Sequence, residues 1–255
     1  GSGAEVRLAY AEALQEPNGK RGQRSETEDL ELVGIEDVVR LDGLGARRYE
    51  PLLPRSFRWL ELRILTADEP VEFGSVGIRK VAFPAEFNAT FQCDDPVLNG
   101  VFKVASRTLQ LAAQDNFLSD LYWERMQYVG DAHIQAQSWH ALTGDQTLYR
   151  NAVLDFANSL APWGLTQSRF PADLEQFSPA YSLIFIRFVR DYVARTGDLT
   201  VLPQVQTTLD SVLLWFVDRI NDRGVLETQP HLDFVDHLYW PRREEFDQLT
   251  GDRSS

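Results

Sequence analysis

Two five-residue segments constrain this chain more than any other feature: Ala141-Leu-Thr-Gly-Asp145 and Ala194-Arg-Thr-Gly-Asp198. Their threonines stand 53 positions apart. Glycine is the residue that most readily takes the left-handed conformation after a helix C-terminus. Aspartate caps the N-terminus of the helix that follows. Each segment therefore closes one helix and opens the next, and the spacing predicts helical hairpins of about 50 residues each. A third triplet, Thr250-Gly-Asp252, has no clear helical pattern before it and reads as coincidence rather than a third turn.

Helical periodicity begins at Asp94-Asp95-Pro96, where an acidic N-cap precedes proline at the first helical position. From there the pattern predicts helices over 95–113, 131–142, 146–160, 179–196 and 199–220. The stretch 181–193 is apolar on more than one face, as expected of a helix packed between neighbours. That is the inner ring of a two-layered helical barrel or, with the same repeat logic, an α-solenoid. Before residue 92 the period is two. Alternating or β-branched patterns over 5–14, 56–65 and 71–81, separated by turn residues such as Pro17-Asn18-Gly19 and Asp42-Gly43, predict part of an antiparallel β-sandwich. The expected division is a β domain over 1–91 and a helical domain over 92–255.

Composition narrows the function. The 255 residues carry a net charge of −13. Binding nucleic acid requires clustered Lys and Arg, and here the short basic groups (Lys20-Arg21, Arg47-Arg48, Arg242-Arg243) sit among acids or turn residues, so no nucleic-acid partner is expected. The sequence contains no apolar run long enough to span a bilayer, and no membrane partner is expected. A single cysteine, Cys93, excludes an intrachain disulfide and fits a reducing compartment. The start, without Met, suggests a piece of a longer protein. His133 and His140 are seven apart on one predicted helix face, yet no third ligand shares their spacing, so neither a metal nor another cofactor is expected.

The connector between the first two predicted helices is unusual. Asp115, Asp120, Glu124 and Asp131 fall among Phe117, Tyr122, Trp123 and Tyr128. Glycoside hydrolysis usually needs two carboxyl groups, one held protonated to donate to the leaving oxygen. Apolar neighbours raise a carboxyl pKa, and aromatic rings stack on the apolar faces of sugars. Glu124, between Trp123 and Arg125, is a candidate acid on this basis. The same pattern is also compatible with a solvated acidic loop holding a few core aromatics.

The segment Tyr122-Trp-Glu-Arg-Met-Gln-Tyr-Val-Gly-Asp131 resembles the catalytic motif of bacterial α-L-rhamnosidases of glycoside hydrolase family 78. Further matches follow in order along the chain: Tyr10-Ala-Glu-Ala-Leu14, Phe57-Arg-Trp-Leu60, Phe91-Gln-Cys-Asp-Asp-Pro-Val-Leu-Asn99, Gly164-Leu-Thr-Gln-Ser-Arg169 and Phe234-Val-Asp236. The resemblance implies β-sandwich domains before an (α/α)6 six-hairpin barrel. This chain would hold the C-terminal part of a jelly-roll-like domain and the first half of the barrel.

The resemblance also implies an activity, inverting hydrolysis of terminal α-L-rhamnose, with a carbohydrate as partner. Glu124 maps onto the general acid. The general base would be a later Glu, beyond Ser255, so the chain alone is expected to be inactive. Asp131 maps onto a rhamnose-binding Asp and would also cap the next helix. The family's first Asp, a sugar contact, falls on Ser119 without a gap; shortening the loop by one residue aligns Asp120, the assignment favoured here for that substrate-binding role. Tyr128, Trp163 and Arg169 are further candidates for the sugar cleft, with Trp163 alternatively packing a helix exit. Near the C-terminus Asp236 and Trp240 are candidate sugar contacts, His237 standing where the family has Trp. Relatives acting on uronides or fucosides, and a non-catalytic carbohydrate-binding or scaffold protein, are the alternatives. A partial barrel should also expose inner-ring residues such as Leu183, Phe185 and Leu213.

Overall fold

The computed structural model describes residues 3–20, 23–66 and 70–226. Two compact units emerge: Gly1–Pro84 with Phe91–Arg125, and Ala85–Thr90 with Met126–Ser255. The architecture is a small antiparallel sheet followed by helices, the partial sandwich and opening helical hairpins that the sequence predicts.

In the first unit, β1 (Glu5–Ala11) is the central strand, with β2 (Ile35–Arg40) on one side and β3 (Trp59–Leu65) on the other, both antiparallel. Val6 stands opposite Val39 and Ile64, and Tyr10 opposite Ile35 and Leu60. Side chains alternate across a strand, so these residues share one apolar face. On the other face Arg7 Nε meets Glu5 Oε1 at 2.6 Å and Arg7 Nη1 meets Glu36 Oε2 at 3.4 Å. Two strand expectations are corrected. β2 is a strand that periodicity alone did not predict, because Asp37 occupies a position on the apolar face. Arg55 pairs with that carboxylate, which makes an acid tolerable there. Residues 71–81 form no ladder, and Val76 and Ile78 are exposed. The first unit also contains α1 (Pro96–Ala112), capped by Asp95, whose side chain accepts from Val97 N at 2.8 Å.

The second unit contains α2 (Val129–Thr143), α3 (Thr147–Asn158), α4 (Pro179–Thr196) and, after a 3-10 turn at Leu199–Val201, α5 (Leu202–Val217). α2 packs on α3 and α4, and α3 packs on α4 and α5. Both Thr-Gly-Asp turns behave alike. Gly144 and Gly197 take φ of 73° and 72° and return their N–H groups to His140 and Val193 carbonyls. Thr143 Oγ1 donates to Trp139 O at 2.8 Å and accepts from Asp145 N at 3.0 Å. Thr196 does the same with Tyr192 O and Asp198 N. The aspartates cap the next turn, Asp145 accepting from Thr147 N and Asp198 from Thr200 N. The threonine links glycine to cap, a role that the spacing alone did not disclose.

Between these helices lies an aromatic core. Tyr149 stacks on Phe188 at 5.4 Å and meets Tyr192 edge-on at 5.0 Å; Trp139, Phe156 and Phe185 are fully buried. The expectation for Phe185 is thereby corrected, because its position on α4 turns it into this core. Leu183 and Leu213 are exposed as predicted. The triplet at 250–252 lies outside the described residues.

Candidate active site

The candidate residues divide between the two units. In the first, the chain leaves α1 through buried Phe117 and Leu118 and makes a turn over 121–124. Asp120 organises that turn. Its Oδ1 accepts from Tyr122 N at 2.7 Å, from Trp123 N and from Glu124 N at 3.2 Å, while its carbonyl accepts from Arg125 N. This is the geometry of an N-cap, in which one short carboxylate satisfies several orphan backbone donors. Arg125 leaves the turn at φ 52°. Ser119, at the position the gapless alignment selects, donates its hydroxyl to Glu124 Oε2 at 3.4 Å.

Two aromatic residues of the motif have different environments. Tyr122 is buried. Its hydroxyl donates to Tyr10 O at 2.7 Å and accepts from Ile35 N at 2.9 Å, tying the loop to β1 and β2. Gly34 makes room: a Cβ there would collide with the Tyr10 carbonyl and lie 2.5 Å from the Tyr122 hydroxyl. Trp123 packs edge-on against Tyr122 at 4.8 Å yet remains 57 % exposed, with Glu124 exposed beside it. Exposure of both side chains departs from the apolar enclosure that Glu124 was expected to have. It leaves the carboxyl accessible to a ligand.

In the second unit, Gln127–Val129 pairs with Ser168–Phe170. Tyr128 and Arg169 form an antiparallel bridge, Val129 N donates to Ser168 O, and Phe170 N donates to Gln127 O. The pairing brings two candidates together: Arg169 Nη1 donates to Tyr128 Oη at 3.3 Å, with the guanidinium 5.9 Å from the ring centroid. Asp131 is exposed in the first turn of α2, where a carboxylate complements the helix dipole. The N-cap itself is Tyr128, so the capping expected of Asp131 is corrected: the helix starts two residues earlier than periodicity indicated. Trp163 is 40 % exposed and meets Phe177 edge-on at 4.5 Å, so it both packs the α3 exit and presents a face. Asp236, His237 and Trp240 lie outside the described residues.

Two polar residues here, Gln127 and Asp155, were not singled out from the sequence. Gln127 is fully buried, and its Nε2 donates to both Asp155 Oδ2 and Phe170 O at 3.0 Å. Burial raises the Asp155 carboxyl pKa, and the Gln127 hydrogen bond partly offsets this. An acid between Leu154 and Phe156 on a helix with an apolar face was the available signal. His133 is buried, with Nε2 2.9 Å from Asp191 Oδ2 and 2.7 Å from Gln137 Nε2.

Comparison with known proteins sharpens this picture. No curated protein matches the sequence. Among solved structures, a family GH78 rhamnosidase of Bacillus sp. GL1 is 19 % identical over 92 % of this chain, with a TM-score of 0.74. A rhamnosidase from Klebsiella oxytoca with rhamnose bound is 19 % identical over 90 % of the chain, TM-score 0.61. An α-L-rhamnosidase from Dictyoglumus thermophilum is 20 % identical over 89 %, TM-score 0.65. The chain spans 24 %, 46 % and 25 % of those three proteins, respectively. At such identities the likeness establishes the fold. The model of the bacterial alpha-L-rhamnosidase 6 hairpin glycosidase domain matches residues 86–251, well over half of the chain. The chain therefore belongs to the bacterial α-L-rhamnosidase six-hairpin glycosidase family.

Proposed function

We propose that this chain supplies the acid-bearing part of an inverting glycoside hydrolase that releases terminal α-L-rhamnose, with Glu124 as general acid. The observation that carries the reading is the Ser119–Arg125 turn. Asp120 holds its backbone, Tyr122 fastens it to the sheet, and Glu124 projects from it with an exposed carboxyl. A proton donor must be both held and reachable. Tyr128, Asp131, Trp163 and Arg169 are assigned to rhamnose binding, the Tyr128–Arg169 pair offering a ring face and a hydroxyl donor. Asp120, Asp236 and Trp240 keep the same assignment from the family resemblance alone. Inversion needs a second carboxyl acting as base. The β domain is assigned to 1–91 and the catalytic domain to 92–255.

Replacing Glu124 by Gln in the full-length protein is expected to lower kcat on an alkyl α-L-rhamnoside by about 10²–10⁴-fold. Full activity of that variant would remove Glu124 from the role.

One observation favours a second reading. Asp120 spends Oδ1 on backbone donors, and in the alignment without a gap Ser119 stands where the family has a carboxylate. A protein that binds rhamnose without cleaving it fits that loss. Calorimetric binding of rhamnose with no turnover of any aryl glycoside would select this reading; turnover of a fucoside or uronide instead would change the sugar.

A further inference from the structure

Asp155 lies on α3, outside every residue assigned to the sugar above, yet its carboxylate is turned inward against Gln127. Gln127 is fully buried and shares its one amide nitrogen between Asp155 Oδ2 and Phe170 O, each at 3.0 Å. From the other side Asn151, one helical turn earlier, donates to the same Asp155 oxygen at 3.3 Å. The backbone around Gln127 completes the clamp. Gln127 O accepts from Phe170 N at 3.0 Å, and Val129 N donates to Ser168 O at 3.0 Å. Tyr128 and Arg169 are the middle pair of this short ladder.

We infer that Asp155 is a positioning residue which, acting through Gln127, fixes the ladder that presents Tyr128 and Arg169 to a sugar. The inference rests on the sugar-binding reading of those two side chains. The Asp155 oxygen is a second acceptor on Gln127 Nε2 beside the Phe170 carbonyl, and two acceptors fix the orientation of the buried amide. Burial disfavours the charged form of Asp155. An apolar residue at this position of α3 would avoid that penalty, but it would take the Asp155 acceptor away from Gln127 Nε2. The cost of the carboxylate is offset by a fixed orientation of the chain at Tyr128, which is also the N-cap residue of α2.

The test compares Asp155→Ala with Asp155→Asn in the full-length protein. Asparagine keeps an oxygen that can accept from Gln127; alanine removes it. On an aryl α-L-rhamnoside, Asp155→Ala is expected to raise KM about tenfold with kcat within about twofold, and Asp155→Asn to restore KM to within about twofold. Amide hydrogen exchange read by mass spectrometry should quicken at Val129 and Phe170 in the alanine variant and not in the asparagine variant. Unchanged KM and unchanged exchange in the alanine variant would overturn the inference, as would an asparagine variant no better than alanine. If the wild-type protein neither binds nor cleaves rhamnosides, the sugar reading fails by itself, and the exchange measurement still decides whether Asp155 anchors the ladder. Should alanine prevent folding, Gln127→Met removes the donor at similar volume and carries the same two expectations.

Discussion

The Tyr122 hydroxyl lies 2.7 Å from the Tyr10 carbonyl oxygen, joining residues 112 positions apart. The contact couples the candidate catalytic turn to the central strand of the sheet. Because the same hydroxyl also accepts from Ile35 N, its removal leaves the buried Tyr10 carbonyl and the half-buried Ile35 N–H without this partner. Tyr122→Phe should destabilise the fold by about 1–3 kcal/mol. Gly34→Ala should cost more, since a Cβ there has no room beside Tyr10. Chemical denaturation of both variants and of the double variant checks this. The effects should be clearly non-additive, because both act on one contact.

The Asp120 turn makes a sharper distinction. Asparagine keeps the Oδ1 that accepts from three backbone donors, whereas alanine loses it. Asp120→Ala should cost about 1 kcal/mol and Asp120→Asn only a few tenths. Equal losses of stability would mean that the negative charge, not the cap, is what matters. A large rise in KM for Asp120→Asn without loss of stability would instead assign the carboxylate to the sugar.

Asp198 predicts a pH dependence. Hydrogen bonds from Thr200 and then Tyr192 hold its carboxyl pKa down at about 2, with Arg150 also donating. A carboxyl whose folded pKa lies below its unfolded value stabilises the fold above the unfolded value, about 3.9. That contribution falls away as pH drops from about 4 towards 2. Thermal unfolding of wild type and Asp198→Asn from pH 7 to pH 2 should show a gap in Tm that closes over that interval. A gap constant with pH would show that the carboxylate charge contributes nothing.

α1 exposes Val97, Val101 and Val104 on one face, at 69 %, 56 % and 67 %. Contiguous apolar surface of this kind drives association. The 255-residue chain by itself should self-associate with rising concentration, and Val101→Glu with Val104→Glu should suppress this. A monodisperse wild-type chain by light scattering would show the face to be harmless.

Determined by sequence alone were the features whose interactions close within a few residues. The two Thr-Gly-Asp turns, the Asp95 cap and the bounds of α4 were legible because a left-handed glycine, a capping carboxylate and a proline act on their immediate neighbours. The motif around Glu124 was legible as a resemblance, and the family match agrees with it. Decided only by tertiary structure were the features that depend on distant partners. β2 is a strand because β1 pairs with it and Arg55 neutralises Asp37. Phe185 is buried because neighbouring helices cover it. Tyr122 is an anchor because Gly34 and Tyr10 meet it from the sheet, and Asp155 matters through Gln127, 28 positions away. The use of Asp120 Oδ1 as a backbone cap was local enough to read, beside the sugar contact that the family resemblance gives to the same carboxylate. In the folded turn, three backbone N–H groups that need an acceptor lie closest to it.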